Sequence, residues 1–518
     1  MPAPVILEKN GYSFKNWHTT KNVGGRVEHY LTPTNRWIDG SPVEKGFQPG
    51  LLALRQAVRE AEAKRERIRC VGAAWSLNNL AFTGQRLVNT CRLTHYFVGF
   101  QSDSMVTPAY QKKKNRLIFA QAGTQVVALN DALEKARPER LALPTCGASN
   151  GQTIVGATQT GTHGSAHAYG PMPNYVRALH IVAEGGEHYL IQKRGAPVVT
   201  KNFADYLGAE LREDDELFSA AVVGLGSFGL IHAVLLEAVP MFGLGRWVKQ
   251  VDFPSVQNAI YNFDPKGLGL PSGDKLPWHF EVVVNPYLRG PGQRGAFIRV
   301  YDKFVIKAGD PLPRIPVGPG GLENSRDLVT IGGLFTDAVP DLIPGALQGQ
   351  IENSLRSTGG AVIRGTPGGQ FNDSQPTNGG TSMELGVAAE DVRATAEAIF
   401  QVTDQHVFGA PVAFRWVKGS HQTLSFSRFT PLTCHIEMPG IDSSRTRNGY
   451  QMIWQALDRA GIRYTCHWGQ ALPASPAWVK RAFGTRVERW LAARRAFLSP
   501  EGRRTFSNDL LDSYGLGD

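Results

Sequence analysis

Residues 146–170 read CGASNGQTIVGATQTGTHGSAHAYG. Glycine, alanine, serine and threonine stand where a core segment would carry bulk, with Ile154 and Val155 set inside the run. Such a stretch lets a backbone come close to a ligand. Gly151, Gly156, Gly161 and Gly164 tolerate positive φ or leave room, and the hydroxyls of Ser149, Thr153, Thr160, Thr162 and Ser165 suit a phosphate or a flat heterocycle. At this length the run reads as a cofactor cradle rather than a surface turn. Neither GxGxxG nor GxxxxGK followed by Ser or Thr occurs within it, so spacing alone does not name the ligand.

Outward from the cradle the pattern is α+β in short units. After an irregular start, apolar residues recur at helical spacing over 51–61, and the β-like IRCV of residues 68–71 ends at Gly72. RLIFAQAGTQVVALNDALEKA reads as strand, turn at Gly123, and amphipathic helix over 126–136. Downstream, strands fall in YVRALHIVAEGG and EHYLIQK, and a helix over 215–222 meets the glycine cluster Gly224, Gly226 and Gly229 before a strand running to Pro240. Pro240 reads as a domain boundary. Beyond it, WHFEVVVNPY, GAFIRVYDKFVI, SMELGV, PVAFRWVKG, LTCHIEMPG and RYTCHWGQ read as strands, with helices over 389–402 and in NGYQMIWQALDRAG, which suggests one antiparallel sheet with helices on a face. Residues 309–380 are the least legible part, and the tail is helical to residue 496.

A chain of 518 residues with 42% hydrophobic and 19% charged residues is globular and long enough for two or three domains. No apolar run reaches bilayer-spanning length, and the N-terminus lacks a basic n-region, which points to the cytoplasm. Five scattered cysteines fit reduced thiols, and no pair has metal-ligand spacing. The net charge of +10 is dispersed, apart from Lys112–Lys114 and an Arg-rich C-terminal helix, and fits a solvated basic face better than a nucleic-acid site.

Three pieces, RCVGAAWS, GQTIVGATQTGTHGS and GLGSFGLIHAVLLEAVP, in this order and at these separations, resemble the FAD-binding domain of the vanillyl-alcohol oxidase type flavoproteins. PVAFRWVKGSHQTLS, HWGQ and FLSPEGRRTFSNDLL are similar to the aldonolactone oxidase, alditol oxidase and type II cholesterol oxidase branch. The resemblance implies an α+β, two-domain FAD-linked oxidase fold. Residues 1–240, completed by the tail 481–518, would form the FAD-binding domain; residues 241–480 would form a cap domain with an antiparallel sheet and flanking helices. It also implies FAD as cofactor. The loop Gly72, Ala73, Ala74, Trp75 and Ser76 and the cradle residues Gly147, Ala148, Ser149, Thr153, Gly156 and Ala157 would hold its pyrophosphate. Gly161, Thr162, His163 and Gly164 would lie close to it, and Gly226, Gly229 and Ile231 would pack on the ring system. In similar proteins a histidine at the place of His163 is a structural part of the loop. Cys146, at the head of the cradle, reads as a small buried hydrophobe.

Departures from the resemblance bear on the chemistry. Many relatives carry a histidine before the loop serine that bonds covalently to the flavin; here Trp75 stands there, which implies non-covalent FAD. Relatives place a Glu-x-Arg pair on the strand written PVAFRW and a lysine at the end of HWGK, where this chain has Ala413, Arg415 and Gln470. An unpaired buried guanidinium is costly, so an acid or a substrate anion should approach Arg415. His435 and Glu437, two apart on one strand, project to one side. Glu437 is the expected partner of Arg415 and His435 the expected base, with His467 and Gln470 as further site residues and Glu281 and Glu384 as weaker acid candidates. The expected function is an FAD-dependent oxidoreductase moving a hydride from an alcohol-type small molecule to flavin N5, with O2 or another electron acceptor, no metal, no nucleic acid and no membrane span. A non-catalytic or accessory flavin-binding protein on the same scaffold is the alternative.

Overall fold

The computed structural model describes residues 2–307, 309–315, 339–372, 379–473 and 475–518. The rest of 309–380, namely 316–338 and 373–378, lies outside the described residues.

The start of the chain is not irregular. It forms two long antiparallel strands, Pro4–Lys15 and Gly24–Trp37, whose partners Arg86–Asn89 and Ile68–Val71 complete a four-stranded sheet. The first strand is exposed along most of its length, so its side chains carry little apolar alternation for a sequence reading to find. A six-stranded sheet follows in the spatial order Glu210–Glu213, His188–Gln192, Val176–Val182, Leu230–Glu237, Leu117–Gln121, Tyr96–Val98. Between the two sheets lies the helix Gln48–Ala63. It starts with Pro49 in its first turn, where a missing N–H costs nothing. Its buried stripe of Leu51, Leu54, Ala57, Val58 and Ala61 packs against Leu31 and Val88 of one sheet and Val182 and Leu230 of the other.

The glycine-rich cradle holds a short helix, Ile154–Thr160, where the sequence reading assigned no element. Thr153 caps it by accepting from the Gly156 N–H, and Gly161 ends it at φ 89°. The chain changes sheet at Pro240: Leu230–Glu237 belongs to the six-stranded sheet, and Phe242–Val251 to an eight-stranded antiparallel one. The order in that larger sheet is Ile363–Gly365, Phe242–Val251, Ala296–Val305, His279–Val284, Val412–Lys418, Leu432–Ile441, Gly380–Ala388, Tyr464–Cys466.

Helices cover both faces of this sheet, not one. Phe280, Val282, Phe414 and Trp416 share a core with residues of Phe253–Asn262, Val392–Gln405 and Ser444–Arg459. On the opposite face Val248, Val283, Phe297 and Ala413 pack under Leu347, Ile351 and Leu355 of the helix Ile343–Leu355. The C-terminal helices return to the first two sheets, where Leu498 and Phe506 join the core around Leu51 and Leu54.

Candidate functional site

Strand periodicity puts Glu281, Arg299, Arg415, Glu437 and Glu384 on the face that Ala413 shares. Cross-strand register aligns them: Arg299 and Arg415 both pair with Glu281, and Glu437 lies between Ala413 and Glu384. The result is a buried ionic patch. Arg415 Nη2 is in direct contact with Glu437 Oε2 and lies 3.7 Å from Glu384 Oε1, while its Nε lies 3.7 Å from Glu281 Oε1. Glu281 also bonds Arg299 Nε. Burial alone would raise the carboxyls of Glu281 and Glu384, but the cations beside them hold both well below the ordinary range, Arg299 in the first case and His163 with Arg415 in the second.

One continuous cleft joins this patch to the loops of the first two sheets. Gly72, Ala73, Ala74, Trp75 and Ser76 line it, as do Gly147, Ala148, Ser149, Thr153, Gly156, Ala157, Thr162 and His163. Gly226, Gly229 and Ile231 close one side, and Arg415, Glu437, His467 and Gln470 come from the cap sheet and the segment after it. Sequence reasoning had no signal for Asn16 and His18, which reach the cleft from beyond the first strand, or for Arg69, Gln152 and Ser382. It ranked Glu384 only as a weaker acid candidate, yet Glu384 lines the cleft.

Four sequence-named residues take other places. His435 is fully buried and does not line the cleft: its ring stacks on His163 at 3.8 Å, and its Nε2 meets Ser427 Oγ at 2.9 Å. It shares a face with Glu437 as strand periodicity requires, yet sits deeper, so it is not placed to serve as a base toward a ligand there. Gly161 and Gly164 also lie off the cleft. A Cβ on Gly161 would meet Phe426 at 3.0 Å, and one on Gly164 would meet the Cys146 carbonyl at 2.7 Å. Glu281 is sealed behind Arg415. Cys146 belongs to the apolar core, and burial pushes its thiol up to about 12.

The cleft suits a long polar cofactor. A Cβ on Gly72 would stand 2.2 Å from Thr153 Oγ1, so the first loop and the cradle touch only because no side chain intervenes. Ala74 at φ 57° and Leu225 at φ 55° adopt left-handed backbone in two of the lining loops, a conformation that costs about 1 kcal/mol or more for a residue with a side chain and collects at ligand sites. Two buried acceptors in the lining, Gln152 Oε1 and Gln470 Oε1, find no hydrogen-bond partner among the described residues. The loops are held from behind by Arg69, which donates to the carbonyls of Leu80, Leu225, Gly226 and Phe506. Asn508 of the tail likewise donates to those of Asn79, Leu80 and Phe82. Trp75 meets His18 edge-on at 4.9 Å and lies parallel to Trp17 at 6.5 Å.

Among the described residues, His163, Glu384 and His435 are the one group whose donor atoms approach one another as metal ligands would. The two imidazoles, however, are stacked within 25° of parallel, so their in-plane lone pairs run side by side instead of converging.

Residues 52–191 match the family model of an FAD binding domain. Over 199 residues the chain is 29% identical to a putative D-arabinono-1,4-lactone oxidase of Neurospora crassa, covering 38% of this chain and 30% of that one. It is 27% identical over 232 residues to the L-gulonolactone oxidase of Scyliorhinus torazame, covering 45% and 41%. These matches span less than half the length of either relative. Cholesterol oxidase from B. sterolicum superposes with a TM-score of 0.68 at 15% identity, over 99% of this chain and 97% of the other, and thus has the same two-domain fold.

Proposed function

Because the chain belongs to the FAD-linked oxidoreductases of the vanillyl-alcohol oxidase type and carries their FAD binding domain, we propose that it oxidises a neutral, hydroxyl-bearing small molecule. The observation that carries this reading is the Arg415–Glu437–Glu384 patch, which opens into the same cleft as the cofactor loops. Gly72–Ser76 and the cradle would hold the FAD phosphates, with Gly226, Gly229 and Ile231 against the ring system and Gln470 toward its polar edge. Trp75 offers no imidazole for a covalent link, so the cofactor is held non-covalently. When bound, FAD supplies the two-electron acceptor that takes a hydride at N5.

The protein's part is to place the donor and handle its proton. Arg415 lines the cleft, and its guanidinium would hold the donor oxygen. Three carboxylates, Glu281, Glu384 and Glu437, surround two guanidinium groups, Arg299 and Arg415. The hydrogen held between His163 and Glu384 balances the third carboxylate, and Arg415 already contacts Glu437, so the patch offers no spare positive charge to an anionic donor. His467, lowered by burial to about 4, stays neutral near pH 7. Two relatives are named for aldonolactone oxidation and the solved neighbour for cholesterol. Ala413 and Gln470 argue for a donor that differs from theirs. O2 or another acceptor would complete the cycle.

Anaerobic mixing with a panel of neutral alcohols and polyols tests the reading. The flavin absorbance is expected to bleach with at least one donor, and Arg415→Met is expected to lower kcat/KM about 100-fold or more while keeping its FAD. A wild-type flavin that dithionite reduces but no donor bleaches points instead to an accessory, non-catalytic flavoprotein.

A further inference from the structure

Four groups in or behind the donor end of the cleft could take a proton, and their placement and hydrogen bonds separate them. Glu437 has both oxygens committed: Oε2 to Arg415, and Oε1 accepting from Ser382 Oγ at 3.1 Å and from Gln470 Nε2 at 3.0 Å. His467 Nδ1 accepts from the Gly469 N–H at 3.0 Å, so in the neutral ring its other nitrogen carries the hydrogen and can only donate. His435 does not reach the cleft. That leaves Glu384. Among the described residues the contacts of its carboxylate run through Oε1, which lies 2.9 Å from His163 Nε2, and leave Oε2 for a ligand.

The His163 ring fixes where the proton of this pair sits. Its Nδ1 stands 2.8 Å from the Gly164 carbonyl, which can only accept, so Nδ1 carries a hydrogen. The contact between Nε2 and Glu384 Oε1 then requires a second hydrogen between them. Stacking on His435 and edge contact with Phe426 prevent the ring from turning away.

We propose that Glu384 is the catalytic base of this site, receiving the donor's hydroxyl proton at Oε2, and that His163 is its positioning residue, sharing a proton with Oε1. The proposal rests on reading the cleft as a site of CH–OH oxidation. In the step the donor O–H bond breaks and its proton goes to Glu384 Oε2. The electron pair of that bond becomes the second C–O bond, and the hydrogen on carbon departs with its pair to the bound FAD. The donor is oxidised to a carbonyl and FAD is reduced by two electrons. The groups that face the Glu384 carboxylate are His163 from the cradle, Arg415 from the strand Val412–Lys418, His435 and Glu437 from Leu432–Ile441, and His467 after Tyr464–Cys466. With His163 and Arg415 beside it the base stays ionised well into acid.

The test compares wild type, Glu384→Gln and His163→Gln holoproteins in anaerobic stopped flow, using a donor that bleaches the wild type. Glu384→Gln is expected to slow bleaching about 100-fold or more while dithionite reduction and FAD content stay unchanged. His163→Gln still offers an N–H to Oε1 but no charge, so the acid limb of its bleaching rate is expected to rise toward the ordinary carboxylate value of about 4.3. Bleaching of Glu384→Gln at the wild-type rate overturns the proposal, and so does an unmoved acid limb in His163→Gln. If no donor bleaches the wild type, the functional reading fails, but the proton pair can still be tested. In 15N spectra of histidine-labelled wild type, His163 should show a protonated Nδ1, and a Nδ1 without hydrogen contradicts the arrangement.

Discussion

Arg415 and Ala413 are two residues apart on one strand face, yet they meet different surroundings. Arg415 opens into the cleft among carboxylates; Ala413 is fully buried beneath Leu347 and Ile351, in a packed apolar cluster. Restoring the carboxylate that relatives carry at this position is therefore expected to destabilise the protein. Ala413→Glu would push a charge into the apolar cluster beside Glu437, at a cost of several kcal/mol. Thermal melting of the variant checks this, and a melting temperature at or above wild type would mean that the helix Ile343–Leu355 readily gives way. Trp75 leads to a second expectation. Acid precipitation of the yellow protein should release all of its flavin as FAD, and flavin left in the pellet would show a tether elsewhere. At this scale the sequence told which residues share a strand face, because alternation follows from the pleat. It could not tell depth: His435 and Glu437 are equivalent by periodicity, but one is sealed behind His163 while the other bonds Arg415.

Among the elements, the six-stranded sheet holds a buried row of histidines apart from the cleft. Gln121 Nε2 meets His232 Nε2 at 2.8 Å, His232 Nδ1 meets His180 Nδ1 at 2.9 Å, and His180 Nε2 meets His188 Nδ1 at 2.9 Å. One orientation satisfies all three contacts: Gln121 donates to His232, which donates to His180, which donates to His188. Every ring is then neutral. Burial lowers all three, His188 to about 4 and His232 to about 3. Since the folded values lie below the unfolded value of about 6.5, the unfolded chain binds protons first as pH falls. This contribution is full above about pH 6.5 and declines as pH falls toward the folded values, by about 2 kcal/mol at pH 5 for the fully buried His232. The melting temperature is expected to drop between pH 7 and pH 5, and His180→Phe, which removes the central ring, should flatten that dependence. A melting temperature independent of pH over this range would contradict the neutral row. Some elements were plain in the sequence: the helix Asp215–Val222 falls where its spacing put it, with Asp214 capping it through the Leu217 N–H. Others were not. The first strand is too exposed to alternate, and the cradle helix Ile154–Thr160 consists mostly of β-branched residues and a glycine, Ile154, Val155, Gly156, Thr158 and Thr160, which propensity argues against and the caps offset.

Across the whole molecule the cleft depends on segments far apart in the chain. Arg69 ties the first loop to Gly226 and Phe506, and Gly469 accepts from the Leu77 N–H, so the cap reaches the loop that precedes the cradle. The order of the three glycine-rich pieces was legible because each forms within one local turn. The ionic patch was legible only in part, since Glu281, Glu384, Arg415 and Glu437 come from four strands whose spatial order no local pattern records. That patch makes the central claim testable in one experiment: anaerobic mixing of the FAD-loaded protein with neutral hydroxylated donors and, in parallel, with the corresponding carboxylic acids. The account expects the flavin absorbance to bleach with a neutral donor and to persist with its acid. Faster bleaching by the acid would contradict it, as would a flavin that dithionite reduces and no hydroxylated donor does.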